Sequence, residues 1–407
     1  MKHPLTSRVL GRDDEIVMDA VCAAQGLGVD PFDGLSGARI PPWMLSSPRS
    51  RQLILQLRKR SPLSLASFLG VERRTFAKSM GCAVTALSRL TVLGGVPPAR
   101  LRTAADELLL AEGSLGGGRH GYEFDVQTRW AFYPAGSPNL IATVFVARGL
   151  GAASVAMEDH AFREELAASA LFLTGSLLSG GAEPYYRYTL TSDRLVHNAN
   201  LLGAGLVAMD AALRGDNDAL ETAKTAAMTT VQAQRTDGSW AYGEGSSLGW
   251  SDNFHTAYNL DGLLQVWLAT GDIDICDSLD RGVAHWVRDF FGPNGEPKYY
   301  PRKPYPYDMH SAGTAVDVAA RLATWGWGTG DLARRVAAWT AANLVNPVTG
   351  DTYYQKHRLW TDKRHFVRWG DAHWALGTSA LQLLAEGRRD PLEAAVARAS
   401  GVVPDAR

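Results

Sequence analysis

Four histidines hold matched positions along this chain. His197, His255 and His310 each stand where an apolar, helix-forming stretch begins, and His373 stands two residues past the corresponding place. The N-terminal end of a helix disfavours an imidazolium, so a histidine there is held neutral and ready to accept a proton. Asp252 lies three residues before His255, and Tyr258 three residues after it. That spacing puts a carboxylate, an imidazole and a phenol close to one helix face, the equipment of general acid–base catalysis. His255, Asp252, Tyr258, His310 and His197 are therefore the candidate catalytic residues, with the Asp252–His255 pair first among them. Histidines meeting around one axis also suit a metal. No cysteine accompanies them and no His-x-x-x-His pair exists, so neither a metal nor another cofactor is expected.

Aromatic residues crowd the segments before these helices. Trp240, Tyr242, Tyr299, Tyr300, Tyr354 and Trp369 combine a flat apolar face with a polar edge or tip. The C–H face of a sugar ring stacks on such a surface. Part of the aromatic set is expected to close short β-hairpins instead. Arg129 and Arg368 stand in the same segments, with further Lys and Arg residues. A guanidinium pairs bidentately with carboxylate or phosphate. Basic loops on a near-neutral chain therefore point to an anionic ligand: a uronic acid, a sulfated sugar or a lipid diphosphate. Asp125, Asn198, Asp371 and His373 complete the candidate substrate-binding residues.

These residues recur because the chain repeats one plan. A polar, aromatic-rich loop runs into an apolar helix that starts beside His, Asn or Asp. The starts fall near residues 139, 198, 255, 310 and 371, so the repeat length stays between 55 and 61 residues. Amphipathic segments lie between them, at 162–177, 219–231, 279–291 and 332–344. Their apolar residues recur three and four apart, the mark of a stripe buried on one side. Such a hairpin cannot bury its apolar helix alone and must stack on neighbours. An open stack would expose those helices along its concave face, which argues for closure. The expected fold is all-α: an α/α toroid of about six helical hairpins, with short β-hairpins in the mouth loops. Residues 111–390 hold the repeats. Residues 1–110 are an irregular helical part expected to complete the ring, and 391–407 are expected to be a C-terminal tail. In a ring every loop preceding an inner helix opens at the same end, so the candidate residues converge there.

The composition bounds this reading. A chain of 407 residues, 46% of them hydrophobic, can bury a large core. A net charge of −1 offers no global basic excess for a nucleic-acid backbone, so no nucleic acid is expected as partner. Cys22, Cys82 and Cys276 are widely separated and make neither a disulfide framework nor a C-x-x-C site. They read as free thiols of a reducing compartment. No apolar run follows Met1 to Pro4, so no secretory signal is read there. The stretch nearest to a membrane span, Leu140–Met157, is interrupted by Arg148 and two glycines and reads as a buried helix. A cytoplasmic protein is the expectation. The triplet Gly116 to Gly118 has no strand before it and no Gly-Lys-Ser/Thr end, so it is a joint and not a phosphate loop.

The run Gln234 to Trp240, Q-R-T-D-G-S-W, resembles the Q-x-x-D-G-S-W element of squalene cyclases and prenyltransferase β subunits, where it acts as a structural clasp. The cyclases' D-x-D-D motif is missing. The zinc-binding Asp, Cys and His of the prenyltransferases also find no match, which counts against isoprenoid chemistry. A closer likeness covers roughly residues 120–385. The run from Phe124 to Arg129 with Pro138-Asn139, the run from Val196 to Gly203, Asp252-Asn253-Phe254-His255-Thr256, Pro297 to Tyr300, Asp308-Met309-His310-Ser311-Ala312 and Arg368-Trp369-Gly370 carry it. They are similar to the VpsJ-like bacterial toroid proteins of surface-polysaccharide biosynthesis. That resemblance implies a toroid and a place in polysaccharide synthesis, without specifying a reaction. At the level of fold the chain also resembles uronyl C5-epimerases, unsaturated glucuronyl hydrolases and polysaccharide lyases, from which no catalytic residue is carried over.

The sequence thus points to a carbohydrate-active protein, more an enzyme than a binding factor. Its expected ligand is a uronate-containing oligosaccharide, polysaccharide or lipid-linked sugar. Contact with membrane-bound polysaccharide machinery belongs to the same expectation. The favoured chemistry is proton abstraction beside a carboxylate, giving epimerisation or elimination. Glycoside hydrolysis is the alternative; it needs two carboxylates facing each other, and Asp125 and Asp252 are the candidates. A terpene- or prenyl-directed enzyme and a non-catalytic glycan-binding assembly factor are the remaining alternatives.

Overall fold

The computed structural model describes residues 14–61, 63–128 and 132–402. Four helices precede the first hairpin: α1 (Asp14–Gln25), α2 (Pro42–Leu45), α3 (Pro48–Arg60) and α4 (Ala66–Leu69). Inner and outer helices then alternate. The pairs are α5 (Ala77–Val92) with α6 (Pro98–Leu109), α7 (Leu140–Met157) with α8 (His160–Phe172), and α9 (His197–Arg214) with α10 (Asn217–Gln232). They continue with α11 (Asn253–Thr270) and α12 (Ile273–Phe290), then α13 (Met309–Thr324) and α14 (Gly330–Leu344); the sixth inner helix is α15 (Ala372–Ala385), and α16 (Pro391–Ser400) ends the described chain.

The inner helices α5, α7, α9, α11, α13 and α15 pack in that order, and α15 returns to α5, so the ring is closed. It is an α/α toroid. No α6-like partner follows α15 on the outside. Instead α1 packs against both α15 and α5, where the outer helix of the sixth pair stands. Helix α7 is the one described helix long and apolar enough to cross a membrane, and most of it is buried inside the ring.

Local chemistry sets the helix starts. Asn139, Asp159, Asp216, Asp252, Asp272 and Asp308 each accept a backbone N–H from the first turn of the helix they precede. Such caps satisfy donors that have no partner within the helix. Small residues then let inner helices approach. A Cβ at Gly81 would lie 2.6 Å from the Phe145 carbonyl oxygen, and one at Gly313 would lie 2.6 Å from the His373 carbonyl carbon. Glycine at these two positions seats α5 on α7 and α13 on α15.

Residues 391–400, expected as part of a tail, form α16, which packs against α11, α9 and α7 at the C-terminal ends of the inner helices. The reason is charge as well as packing. Asp390, which caps α16, accepts from Arg89 Nε at 2.8 Å, and Glu393 is paired with Arg321. Arg321 also pairs with Asp261 and Asp317, and Arg148 with Asp261 at 2.6 Å. This buried network closes one end of the ring.

The other end carries the sheets. β1 (Val126–Gln127) pairs with β2 (Phe132–Tyr133), and β3 (Lys298–Tyr300), β4 (Lys303–Asp308), β5 (Gln355–Lys356) and β6 (Thr361–Asp362) form one antiparallel sheet in that order. The loops between outer and inner helices are thus held as short hairpins around a mouth.

Candidate active site

The inner helices share a register. Their second residues are Lys78, Ile141, Asn198, Phe254, His310 and His373. The first five line a cavity of about 210 Å³ at the mouth end of the ring, and His373 lies just beneath, with its ring centre 3.8 Å from that of His310. At 3.6 residues per turn, the positions near six, nine and thirteen fall on the same line. They hold Phe145, Tyr258 and Thr314, then Arg148, Asp261 and Asp317, then Arg89 and Arg321. The axis is therefore layered: a polar and aromatic cavity, a plug of rings, and the ion network below.

Two proton-transfer units face this space. Asp252, the cap of α11, accepts the backbone N–H of His255 at 3.0 Å and receives the imidazole Nδ1 at 2.8 Å. Nδ1–H donation to the carboxylate leaves Nε2 of His255 as the free lone pair. The His255 side chain is half-buried, tilted against Phe254 and edge-on to Tyr242. One turn deeper, Tyr258 Oη lies 2.8 Å from His310 Nε2 and 3.5 Å from His373 Nε2. Thr314 Oγ1 holds the far nitrogen of His373 at 3.3 Å. Burial, reinforced by nearby cations, holds both His310 and His373 well below the usual histidine range, so both are neutral bases. Burial likewise pushes the Tyr258 phenol well up, so it stays protonated until a base acts on it.

Two cations meet the cavity. Arg368 donates from Nε to Asp30 Oδ2 at 2.8 Å and lies over the rings of Tyr122 and Phe124. Burial alone would lower its pKa, but Asp30, Tyr122 and Glu123 together raise it. Lys78 has no such partner. Among the described residues it makes no hydrogen bond or ion pair; its Nζ lies 4.5 Å from the ring centre of Phe145 and 6.0 Å from that of Tyr258. Burial first, then Arg368, brings its ammonium down to about 7. The opposite wall is phenolic, with Tyr122 Oη and Tyr188 Oη 3.1 Å apart. No carboxylate lines the cavity among the described residues. Nor is any group of three or more His, Cys, Asp or Glu side chains there placed to hold a metal.

The structure brings His255, Asp252, Tyr258, His310 and His373 together, with Asn198, Tyr242, Tyr299, Arg368 and Trp369 on the cavity wall. Tyr300 sits at the rim against Tyr299. Others are corrected. His197 is the first residue of α9, not the second, so it turns to the outer helix and bonds Thr230 Oγ1 at 3.2 Å; burial lowers it to about 4. Trp240 is a core residue whose indole donates to the Thr230 carbonyl at 3.0 Å. Asp371 accepts from Thr352 Oγ1 and pairs with His365, outside the cavity. Tyr354 packs on Phe366 behind the sheet. Asp125 accepts from Ala135 N at 2.7 Å within the β1–β2 hairpin and does not line the cavity, so it does not face Asp252 across it. Arg129 lies outside the described residues, as does Trp130. Lys78, Asp30 and Phe32 were not anticipated. The signal for Lys78 was its place at the start of an apolar helix, visible once Ala77–Val92 is set in register with the five repeats.

No family model matches this sequence, and no curated protein is detectably similar to it. Its fold has relatives among solved structures. An unsaturated glucuronyl hydrolase specific for heparin superposes with a TM-score of 0.60 at 14% identity, covering 94% of this chain and 97% of the other. The cellobiose 2-epimerase of Bacillus thermoamylovorans gives 0.59 at 8% identity, covering 77% and 88%. A sugar epimerase from a ruminal bacterium gives 0.57 at 11% identity, again covering 77% and 88%. At these identities the likeness establishes the shared toroid fold.

Proposed function

We propose that this protein is a carbohydrate-active enzyme that moves a proton on an anionic, uronate-containing sugar, by epimerase or lyase chemistry. The observation that carries the reading is the meeting, around one cavity, of two proton-transfer units, Asp252–His255 and Tyr258–His310–His373, with the basic side chains Lys78 and Arg368 and no lining carboxylate among the described residues. Removing a proton beside a carboxylate builds negative charge on that carboxylate. Lys78 and Arg368 are placed to receive the charge, and His255 Nε2 is the base left free by Asp252. Tyr258, backed by His310 and His373, supplies a second site for a proton. A base and an acid on different walls suit return of the proton to the other face, which is epimerisation, or loss of a leaving group, which is elimination. The epimerases and the glucuronyl hydrolase among the fold relatives support a sugar ligand. Polysaccharide synthesis is the proposed setting, from the resemblance of the sequence motifs to VpsJ-like proteins alone.

Glycoside hydrolysis is the second reading, favoured by the coverage of the glucuronyl hydrolase likeness. The two-carboxylate mechanism has no support from Asp125. The test is incubation of wild type and His255→Ala with uronate and neutral oligosaccharides in heavy water, followed by NMR. C5 proton exchange lost in the variant supports the proposal. Cleavage of the glycosidic bond without exchange moves the protein to the hydrolases, and neither turnover nor binding removes the carbohydrate reading.

A further inference from the structure

From Gly34 to Val71 the chain carries six basic residues, Arg39, Arg49, Arg51, Arg58, Lys59 and Arg60, and no acidic one, although its net charge is −1. This segment contains α2, α3 and α4. Its inner side packs on the ring: Arg51 Nε donates to Gln127 Oε1 at 2.9 Å and Gln52 Nε2 to the Thr128 carbonyl at 2.8 Å, and Thr128 lines the cavity. Its outer side is apolar and basic. Trp43, Leu53, Leu57, Leu63 and Phe68 are between 57% and 74% exposed. On α3, Arg49, Leu53, Leu57 and Arg60 follow at helical spacing, so cations flank the leucines on one exposed face.

A second tip lies beside it. The β5–β6 turn presents Leu359, 90% exposed, and Trp360, between Lys356, Arg358 and Lys363. Arg364 ties the two tips together by donating to the carbonyls of Arg58 and Lys59 at 2.8 Å each. The first segment reaches the cavity wall through Gln52 and Thr128, and the second belongs to the sheet whose Tyr299 lines the cavity.

We propose that this rim docks the protein on an anionic bilayer, with the mouth turned to the lipid headgroups. Exposed apolar side chains at this density mark an interaction surface. They lie on several elements separated by loops, with only Leu53 and Leu57 sharing one helix face. A bilayer accepts such scattered tips without shape matching, while the flanking arginines and lysines meet anionic headgroups. The inference does not depend on the sugar chemistry proposed above. It would give a lipid-linked ligand direct access to the cavity.

The test is flotation of the purified protein with vesicles of phosphatidylcholine alone and of phosphatidylcholine mixed equally with phosphatidylglycerol, with no sugar present. Wild type should float with the anionic vesicles only, and less so as salt is raised. Arg49→Gln with Arg60→Gln should weaken partition roughly thirtyfold, from the usual strength of two cations at an anionic surface. Trp43→Gln with Leu53→Gln and Leu57→Gln should abolish it while the thermal unfolding curve stays in place, since all three side chains are exposed. Failure of wild type to float at low salt, or equal flotation of all variants, overturns the proposal and leaves the rim to a protein partner.

Discussion

Replacing Lys78 by methionine should stabilise the protein and disable it. The lysine is held in the ring axis beside Phe145 and Tyr258, without an acceptor among the described residues, and burial takes it from 10.5 down to about 7. At about 1.4 kcal/mol for each pH unit, the folded state loses up to about 5 kcal/mol to this one charge. The sign follows from which state binds more protons. Below pH 7 the lysine is charged both folded and unfolded, and the whole cost is present. Between pH 7 and 10.5 the folded lysine is neutral while the unfolded one still binds a proton, so stability rises with pH. Above that window the cost is gone. Methionine fills similar space without the charge, so Lys78→Met should gain about 2–5 kcal/mol at pH 6 and little at pH 10. Urea unfolding at the two pH values measures this. An unchanged or lowered stability at pH 6, or a gain equal at both, would falsify the picture of an unpartnered buried amine. The same variant should lose affinity for anionic sugars and keep any for neutral ones. Binding of an anion to wild type should take up a proton near pH 8, seen as a heat that varies with the buffer.

Asp252→Asn preserves a helix cap but no longer holds Nδ1–H of His255 with a carboxylate, so kcat should fall on the order of a hundredfold or more with the fold intact; a fall matched by lost helicity would contradict it. Tyr258→Phe removes the hydroxyl that joins His310 to His373 and should lower kcat by a similar factor while KM changes little. Arg321→Met leaves Glu393 without its cation and takes one of two arginines from each of Asp261 and Asp317 at the closed end of the ring, and should cost about 3–5 kcal/mol in thermal or denaturant unfolding.

What could be read from the sequence was what depends on near neighbours in the chain. The near-constant repeat, the one-sided stripes of the outer helices and the Asp or Asn before each inner helix are local, and they define paired helices and their starts. The Asp252–His255 contact was legible for the same reason, since cap and third residue belong to one turn. Tertiary structure decided which matched residues reach the axis. One residue along a helix is a rotation of about 100°, so His197 at the first position of α9 faces outward while Asn198 at the second faces the cavity. Repeat spacing good to a few residues cannot resolve that rotation. Nor could it show that α16 covers one end of the ring through Arg89 and Arg321, or that Arg368 pairs with Asp30, 338 residues away in the chain. Those meetings exist only because the ring closes, and closure rests on packing six apolar helices that the sequence presents one at a time.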